Sequence, residues 1–510
     1  MRTENRVILN TVALWTRNVI SLLISLWSVP LVLSALGDKD YGLFNLVAGV
    51  ISMLSFLNGA MTVSTQRYMS VNIGKNDDTL LNKTYNASIV LHLIIGLIIV
   101  LGFEICGLFL FDGFLNIDPS RTGAAKIVYQ ILIVSTFLTI ITVPYDAAIN
   151  AHEDLVVFSL IGIGDALLKL GLAYLLFVVY SDRLIVYGIG VAIIAILNVV
   201  VTRAYVLVKY KTLRFNLKKY FERSYLKEMF SFAGWNTLGS MALIGRNQGL
   251  AIVVNKFFGT VINSAYGIAN QMNSALASFS SVLQQSINPQ LMKSEGMNNR
   301  ERMLKISYMS SKFTTMMILI AAIPLIIEMP YVLKIWLKEI PPFTLEFGRW
   351  IIILAATTQL SVGIMSAIQA GGSIGKYQLT MSVMILLNIP LSILLLTLGC
   401  PPYYVMIGCV GVEIITLFVR LLFAKSLVAY SISHFLSKVV LLCLIPTLMA
   451  TAAGCVLTLL MDQCFLRLIA VTFVCVLTFI VSSWYIAFDT DEKAIFVNLL
   501  NKMKFKVIKK

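Results

Sequence analysis

The sequence predicts an all-α integral membrane protein of about fourteen transmembrane helices. Three observations carry this prediction. The 510-residue chain is 58% hydrophobic and only 13% charged, its apolar runs recur at regular intervals, and one polar pattern occurs in both halves. Each run is roughly 20 to 30 residues long, enough to cross a hydrocarbon core of about 30 Å at about 1.5 Å per residue. The predicted architecture is two six-helix lobes around a central cavity, with two extra C-terminal helices.

The predicted spans are separated by short loops, none large enough to fold as a domain. Each span is an apolar stretch bounded by charged or turn-forming residues. The ranges are 7–36, 42–69, 85–111, 124–149, 155–180, 184–208, 229–255, 261–290, 304–337, 348–370, 378–398, 404–424, 438–460 and 467–487. An even number of spans places both termini on one side of the membrane.

The basic residues set the orientation. The formal charge of +15 is compatible with a nucleic-acid partner, but the positions of Lys and Arg argue against one. About two dozen of them lie in segments on the side of the amino terminus, against about nine on the other side, which is the bias of the positive-inside rule. Both termini are therefore expected in the cytoplasm, and no nucleic-acid partner is expected.

The longest basic segment divides the chain. Residues 209–228, called here the basic linker, contain seven Lys or Arg opposed only by Glu222 and Glu228. We expect an N-terminal lobe over 1–208 and a C-terminal lobe over 229–424. Two accessory helices follow in 425–487, and a basic tail over 488–510 is expected to lie on anionic lipid at the cytoplasmic surface.

The two lobes read as copies of one unit. Asn10-Thr11, Arg17 and Tyr41-Gly42 recur as Asn236-Thr237, Arg246 and Tyr266-Gly267, and Ala148–Ala151 resembles Ala367–Ala370. Because each copy crosses the membrane an even number of times, both enter with the same orientation. They are thus parallel repeats, related by an axis along the membrane normal, and a cavity is expected between them.

Three cations lie deep in the predicted spans, namely Arg17, Lys169 and Arg246. Each costs about 2.5 to 3.5 kcal/mol to insert, so such residues are expected to face a cavity, a partner or a ligand. Asp165 lies one helical turn before Lys169, and the two could pair as structural contacts or form part of a cavity wall. Arg17 and Arg246 have no acid within one turn, which favours a ligand-binding role.

Polar residues follow one face of the second and the eighth span. Asn45 belongs to the first face, and Gln271 and Gln285 belong to the second, each among Gly and Ser at steps of three and four. Gly and Ser alone would indicate close helix packing. The amides favour a face that lines a wet passage.

The remaining membrane acids have several interpretations. Glu413 could bind a coupling Na⁺ or H⁺, or could pair with Arg420 two turns away. Asp146 and Glu328 lie near span ends and are expected to be solvated. Lys312 lies near a cytoplasmic end, where its ammonium is expected to reach the interface.

No catalytic or metal motif is evident. The seven cysteines include no C-x-x-C pair, the three histidines lie far apart in the sequence, and no Walker A motif occurs. No metal or organic cofactor is expected. Direct ATP hydrolysis by the chain is not expected, and no residue pattern indicates an enzyme; the secondary-type transporter expectation comes from the family resemblance described next.

The chain resembles the polysaccharide (Wzx-type) flippases of the multidrug/oligosaccharidyl-lipid/polysaccharide exporter superfamily. The resemblance is carried by Asn10-Thr11, Arg17, the run Leu36-Gly37-Asp38-Lys39-Asp40-Tyr41-Gly42-Leu43-Phe44, Gln66-Arg67-Tyr68 and Gly74-Lys75. It implies alternating access by two lobes in a bacterial cytoplasmic (inner) membrane. It also implies export of an undecaprenyl-diphosphate-linked oligosaccharide for surface polysaccharide such as O-antigen or capsule. Arg17 and Arg246 match the arginines that hold the diphosphate in related flippases.

Two rival functions remain open. A cation-coupled exporter of small cationic drugs would use the same fold, with carboxylates dominating the cavity. A membrane enzyme of glycan assembly would need a large outer loop or a catalytic histidine with partners, and the sequence contains neither. The expected partners of a flippase are the lipid-linked oligosaccharide, membrane lipids and other polysaccharide-assembly proteins.

Overall fold

The computed structural model describes residues 3–52, 55–111, 117–337, 339–490 and 492–494, and these form helices joined by short turns. The helices are α1 Thr3–Ser52, α2 Ser55–Gly74, α3 Asp78–Phe109, α4 Thr122–Ala151, α5 Leu155–Val178, α6 Arg183–Lys209, α7 Leu217–Tyr220, α8 Arg223–Gly296, α9 Arg300–Ile327, α10 Met329–Trp336, α11 Thr344–Leu360, α12 Val362–Gly371, α13 Gly375–Leu386, α14 Asn388–Thr397, α15 Tyr404–Val428, α16 Ile432–Phe435, α17 Leu441–Leu460 and α18 Phe465–Ser482. Short π-helical turns, Leu436–Val440 and Ser483–Ala487, adjoin the last two helices.

The predicted fold class is confirmed. Among the described residues, each of the fourteen predicted ranges is mostly helical, and eleven helices there are long and apolar enough to cross a membrane. The protein is therefore a multi-pass helical membrane protein. Most of the predicted basic tail over 488–510, namely residue 491 and residues 495–510, lies outside the described residues.

Two glycines divide the longest helices into hairpins. Gly37 in α1 has φ 77° and ψ 164°, and Gly259 in α8 has φ 78° and ψ −173°. This region of backbone conformation is open essentially to glycine alone. In α1 the chain folds back after Gly37, and Tyr41 packs against a cluster formed by Val32, Ala35, Ala173 and Leu176.

The backbone itself carries the duplication. Gly37 and Gly259 are 222 residues apart, and so are Asn76 and Asn298, which both have positive φ. The next residue in each copy, Asp77 or Asn299, caps the following helix by accepting a hydrogen bond from the backbone three residues on. Matching turns with matching caps at one spacing are the structural trace of a repeated unit.

The chain forms two compact units, Leu9–Ser240 and a second made of Met1–Ile8 with Met241–Lys510. In the first unit α4 packs against α2, α3 and α6, around a core that includes Val128, Tyr129 and Ile133. In the second unit α9 packs against α11, α12, α17 and α18.

Ion pairs fasten the turns at one end of the first unit. The Arg121 guanidinium donates to both Asp182 carboxylate oxygens, at 2.7 and 3.0 Å, and to Asp40 in the turn after Gly37. These hydrogen bonds raise the pKa of Arg121 and lower the pKa of Asp182. Three turns that are distant in sequence are thereby tied together.

Two charged residues expected to be solvated are instead buried in pairs. The Lys312 ammonium donates to the Ala487 carbonyl at 3.0 Å and pairs with Glu492, with both side chains over nine-tenths buried. Glu328 is fully buried and pairs with Arg467 at 2.9 Å. The expectation of solvation was wrong because each partner lies over a hundred residues further along the chain, beyond the reach of local sequence reasoning.

Candidate functional site

A polar cavity lies inside the first unit. Its volume is about 600 Å³, and it is lined by parts of α1, α4, α5 and α6. Its charged lining residues are Arg17, Asp146, Asp165 and Lys169. A second cavity of about 380 Å³ shares Asp146, Asp165, Lys169 and Asn198 with the first. Charged groups that the helices carry from three different sequence regions thus meet around one opening.

Arg17 reaches the cavity across a glycine. A Cβ atom placed on Gly162 would lie 2.6 Å from the Arg17 Nε atom and 2.8 Å from its Cδ atom, so the arginine rests directly on the backbone of α5. The guanidinium also lies over the Phe158 ring, 4.8 Å from its centroid, a cation–π contact. Arg17 is half-buried, and it forms no ion pair with any carboxylate among the described residues.

Lys169 and Asp165 form an ion pair and also line the cavity wall, the two alternatives that the sequence left open. Their charged atoms are 2.8 Å apart, one turn of α5 apart in sequence, and both residues line the two cavities. The Lys169 side chain is 54% exposed. An exposed pair of this kind contributes little to stability, so its position on the wall matters more than its strength.

Asp146 and Asn198 are site residues that sequence reasoning missed. Asp146 was expected to be solvated at a helix end, yet it lines both cavities and lies within electrostatic range of Arg17. Asn198 accepts a hydrogen bond from Thr202 at 3.1 Å, and it also lines both cavities. The sequence contained a signal that could have identified them, since both are polar residues within otherwise apolar helices.

Aromatic side chains complete the wall of the larger cavity. Tyr41, Phe44 and Tyr187 line it, and the rings of Phe44 and Tyr187 meet edge to face with centroids 4.7 Å apart. Tyr41 follows the Gly37 turn by four residues. The segment after Gly37 therefore contributes aromatic side chains to the cavity that the charged groups line.

Arg246 occupies a different setting in the second unit. Its guanidinium donates to the neighbouring Asn247 side chain at 3.0 and 3.2 Å, and Tyr266 donates to the Asn247 carbonyl at 3.3 Å. Like Arg17, it is half-buried and forms no ion pair with a described carboxylate. Its charge is therefore held by a neutral amide.

The two arginines are not at equivalent positions when counted from the hinge. Arg17 precedes Gly37 by 20 residues, whereas Arg246 precedes Gly259 by 13. At about 1.5 Å per residue, this places them about 30 and 20 Å from their respective turns. The shared Asn-Thr and Tyr-Gly pattern made the two arginines look equivalent, although their distances from the hinge glycine differ by about two helical turns.

The polar face of α8 is largely open. Gln271 is exposed, and Ser274, Ser278 and Ser281 are exposed with their hydroxyls bonded to carbonyls of their own helix. Gln285 is half-buried and makes contacts of its own. Because these hydroxyls do not reach other helices, they do not act as the packing contacts that small polar residues can provide. In the first unit Asn45 is exposed and lines the larger cavity.

Glu413 lies in a buried ion pair. Arg420 donates to it at 2.7 Å, and each side chain is 6% exposed. Of the two interpretations of Glu413 given above, coupling-ion binding and pairing with Arg420, the structure shows the pairing. No group of three or more His, Cys, Asp or Glu able to hold a metal ion occurs in the part of the chain that the structure describes.

The fold is similar to that of solved membrane transporters, although the sequence has no close match. No protein-family model and no curated protein sequence matches the chain. Among solved structures it is similar to an outward-facing multidrug resistance MATE family transporter of the MOP superfamily, with a TM-score of 0.72, 14% identity, and coverage of 84% of this chain and 96% of that chain.

Two further structures match to the same extent. One is a MATE mutant, and the other is a MOP superfamily transporter from Pyrococcus furiosus, described with a binding pocket of reverse polarity that suggests a different function; for each the TM-score is 0.72, with 14% identity and coverage of 84% of this chain and 96% of that chain. The chain therefore has the fold of MATE transporters of the MOP superfamily.

Proposed function

We propose that the protein is a flippase. It moves an undecaprenyl-diphosphate-linked oligosaccharide from the cytoplasmic to the outer leaflet of a bacterial cytoplasmic membrane by alternating access. The observation that carries the proposal is Arg17, a guanidinium on the wall of an open cavity without a described carboxylate paired to it. We also propose that both termini lie in the cytoplasm.

The charge of the cargo explains why a transporter would keep such a cation. A diphosphate without partners in hydrocarbon faces a prohibitive loss of hydration. One opposite charge at about 4 Å returns roughly 4 kcal/mol at an effective dielectric of 20. Arg17 and, in the second unit, Arg246 supply that compensation, while the planar guanidinium suits the paired oxygens of a phosphate.

The rest of the cavity suits the sugars. Asn45, Asn198 and the serines of α1 offer donors and acceptors, while Tyr41 and Tyr187 offer rings with polar ends. Asp165 neutralises Lys169, so the lysine adds little net charge. The site thus combines the Arg17 guanidinium, which could meet the diphosphate, with a mixed polar and aromatic wall for the sugars, a wall that also carries the Asp146 carboxylate.

The decisive experiment replaces the arginines. Arg17→Ala and Arg246→Ala should each abolish surface glycan in a deletion strain while the protein remains in the membrane, and Arg17→Lys should restore only part of the export. Arg203→Ala is the matched control, since Arg203 is exposed near the end of α6 and lines neither cavity. Undiminished glycan in both alanine variants would overturn the proposal.

A cation-coupled multidrug exporter is the second candidate. It is favoured by the two carboxylates, Asp146 and Asp165, on the same cavity wall and by the multidrug MATE transporter among the similar structures. Increased drug susceptibility of the deletion strain with normal surface glycan would select it. Partners from polysaccharide assembly are proposed only for the flippase.

A further inference from the structure

The basic linker is held in a fixed conformation in the first unit. The Asn82 side chain donates to the Thr212 carbonyl at 2.9 Å and accepts from the Arg214 amide at 2.6 Å. One turn further along α3, Asn86 donates to the Arg214 carbonyl at 2.8 Å and accepts from the Asn216 amide at 2.9 Å. Both asparagines are buried. Two buried amides thus hold the backbone of a segment in which Tyr210 and Leu213 are buried and most other side chains are exposed.

The exposed side chains are of two kinds. Lys211, Arg214, Lys218 and Lys219 are all exposed. Between and beside them lie apolar side chains that are also open: Phe215 is 55% exposed, Leu217 40% and Phe221 43%. Exposed phenylalanines outside a membrane span, interleaved with cations, form an amphipathic surface.

The acids of the linker do not cancel its charge. Glu222 pairs with Lys83 of α3 at 2.7 Å, which lowers the pKa of the Glu222 carboxyl and keeps that carboxylate occupied. Glu228 accepts a hydrogen bond from Tyr68 at 2.9 Å. The exposed cations therefore keep their charge for a partner outside the protein.

The repeat provides an internal comparison. In the second unit the segment after α15 is held in a similar way, because the Tyr308 hydroxyl accepts from the Ser431 amide at 2.9 Å. There the chain enters α16 at once and continues into α17, with Lys438 as the only Lys or Arg in residues 429–438. The exposed basic and apolar surface is thus an addition to one copy, unexplained by the repeated fold.

We propose that residues 209–223 form a binding surface for anionic phospholipid headgroups. The segment begins where span α6 ends and stops where α8 begins, so it lies at the membrane surface without any partner to bring it there. The cations contact headgroup phosphates, and the phenylalanines and Leu217 enter the upper acyl region. Lipid binding by residues 209–223 does not depend on which cargo the protein transports.

Lipid titration of the purified full-length protein in neutral detergent tests it. The probes are phosphatidylglycerol, phosphatidylcholine, sodium phosphate and polyglutamate, and the readouts are lipids retained in native mass spectrometry and the shift in unfolding temperature. Arg214→Gln/Lys218→Gln/Lys219→Gln should lower the apparent phosphatidylglycerol affinity on the order of a hundredfold, since each cation near the surface contributes roughly fivefold. Phe215→Ser/Phe221→Ser should weaken both lipids alike.

Three scattered exposed cations provide the control. Lys376→Gln/Lys425→Gln/Lys438→Gln removes the same charge and should change phosphatidylglycerol affinity by less than fivefold. If the triple linker variant does not fold, Lys218→Gln/Lys219→Gln serves, with roughly a 25-fold loss expected. Affinity equal to that of the wild type, displacement of the lipid by free phosphate, or displacement by polyglutamate would each overturn the lipid assignment.

Discussion

At the scale of single residues, Gly162 decides where Arg17 can lie. The missing side chain leaves the space that the arginine occupies, with the nearest approach 2.6 Å from a built Cβ to the Arg17 Nε atom. The contact is with the mobile end of a long side chain. An added methyl group would therefore displace the guanidinium rather than the backbone.

Gly162→Ala is accordingly expected to reduce glycan export strongly while changing the free energy of unfolding by less than about 1 kcal/mol. Gly164→Ala is the control, because nothing lies within 4 Å of a Cβ built there, and α5 carries both glycines. Surface glycan and thermal unfolding measured together separate displacement from misfolding. Equal export by the two variants would mean that the position of Arg17 does not matter.

Glu413 and Arg420 form a buried ion pair in which Glu413 is the carboxylate that balances the Arg420 charge. Removing Glu413 alone leaves the Arg420 guanidinium buried and unpaired, so Glu413→Ala should lower stability by about 3 to 5 kcal/mol. Glu413→Leu/Arg420→Met should restore stability, since apolar groups of similar volume can replace a buried pair. Thermal unfolding in detergent measures both. Loss of export in a stable double variant would instead support ion coupling through Glu413.

At the scale of elements, the two hinge glycines set the hairpins of α1 and α8. Their dihedral angles lie in a region that costs other residues about 1 to 3 kcal/mol. Gly37→Ala and Gly259→Ala should each destabilise the protein by that amount, measured as a lower unfolding temperature. Gly42→Ala and Gly267→Ala are matched controls, because both are helical with open space at the Cβ position. Destabilisation by the controls to the same extent would remove the conformational explanation.

The two spans of each hairpin, in α1 and in α8, could be predicted from the sequence, but the glycine that separates them could not. The apolar runs on either side were evident, but Gly37 and Gly259 resemble ordinary glycines in sequence. Their positive φ marks the kink that separates the two helical segments of each pair. In the backbone, the distance from the hinge glycine to the next positive-φ asparagine is the same in both copies. The sequence comparison missed this spacing because it aligned the copies on their Asn-Thr and Tyr-Gly pairs instead.

At the scale of the whole molecule, the charge bias predicts a definite topology. In a variant without the seven native cysteines, Ser120→Cys between α3 and α4 should react with a membrane-impermeant maleimide on intact cells. Lys219→Cys in the basic linker should react only after permeabilisation. Both positions are exposed, so accessibility within the protein is matched. The reverse labelling pattern would place the termini outside.

The sequence predicted the helices well and the polar contacts poorly, for one physical reason. Span length and apolarity are local properties, so all fourteen ranges are mostly helical wherever the structure describes them. Partners such as Arg467 for Glu328 depend on packing between distant segments. The site divides in the same way: Arg17, Asp165 and Lys169 were identified from depth and spacing, whereas Asp146 joined them only through the packing of α4 beside α5.

The pairing of Lys312 with Glu492 has a consequence for how the protein is made. The two residues are separated by 180 positions, so α9 is synthesised long before the carboxylate that neutralises its ammonium. Until then the lysine must remain hydrated or borrow another anion. A nascent polypeptide that ends before residue 492 contains the described helices through α18 but lacks the carboxylate that neutralises Lys312, so an unpaired ammonium distinguishes it from the finished chain.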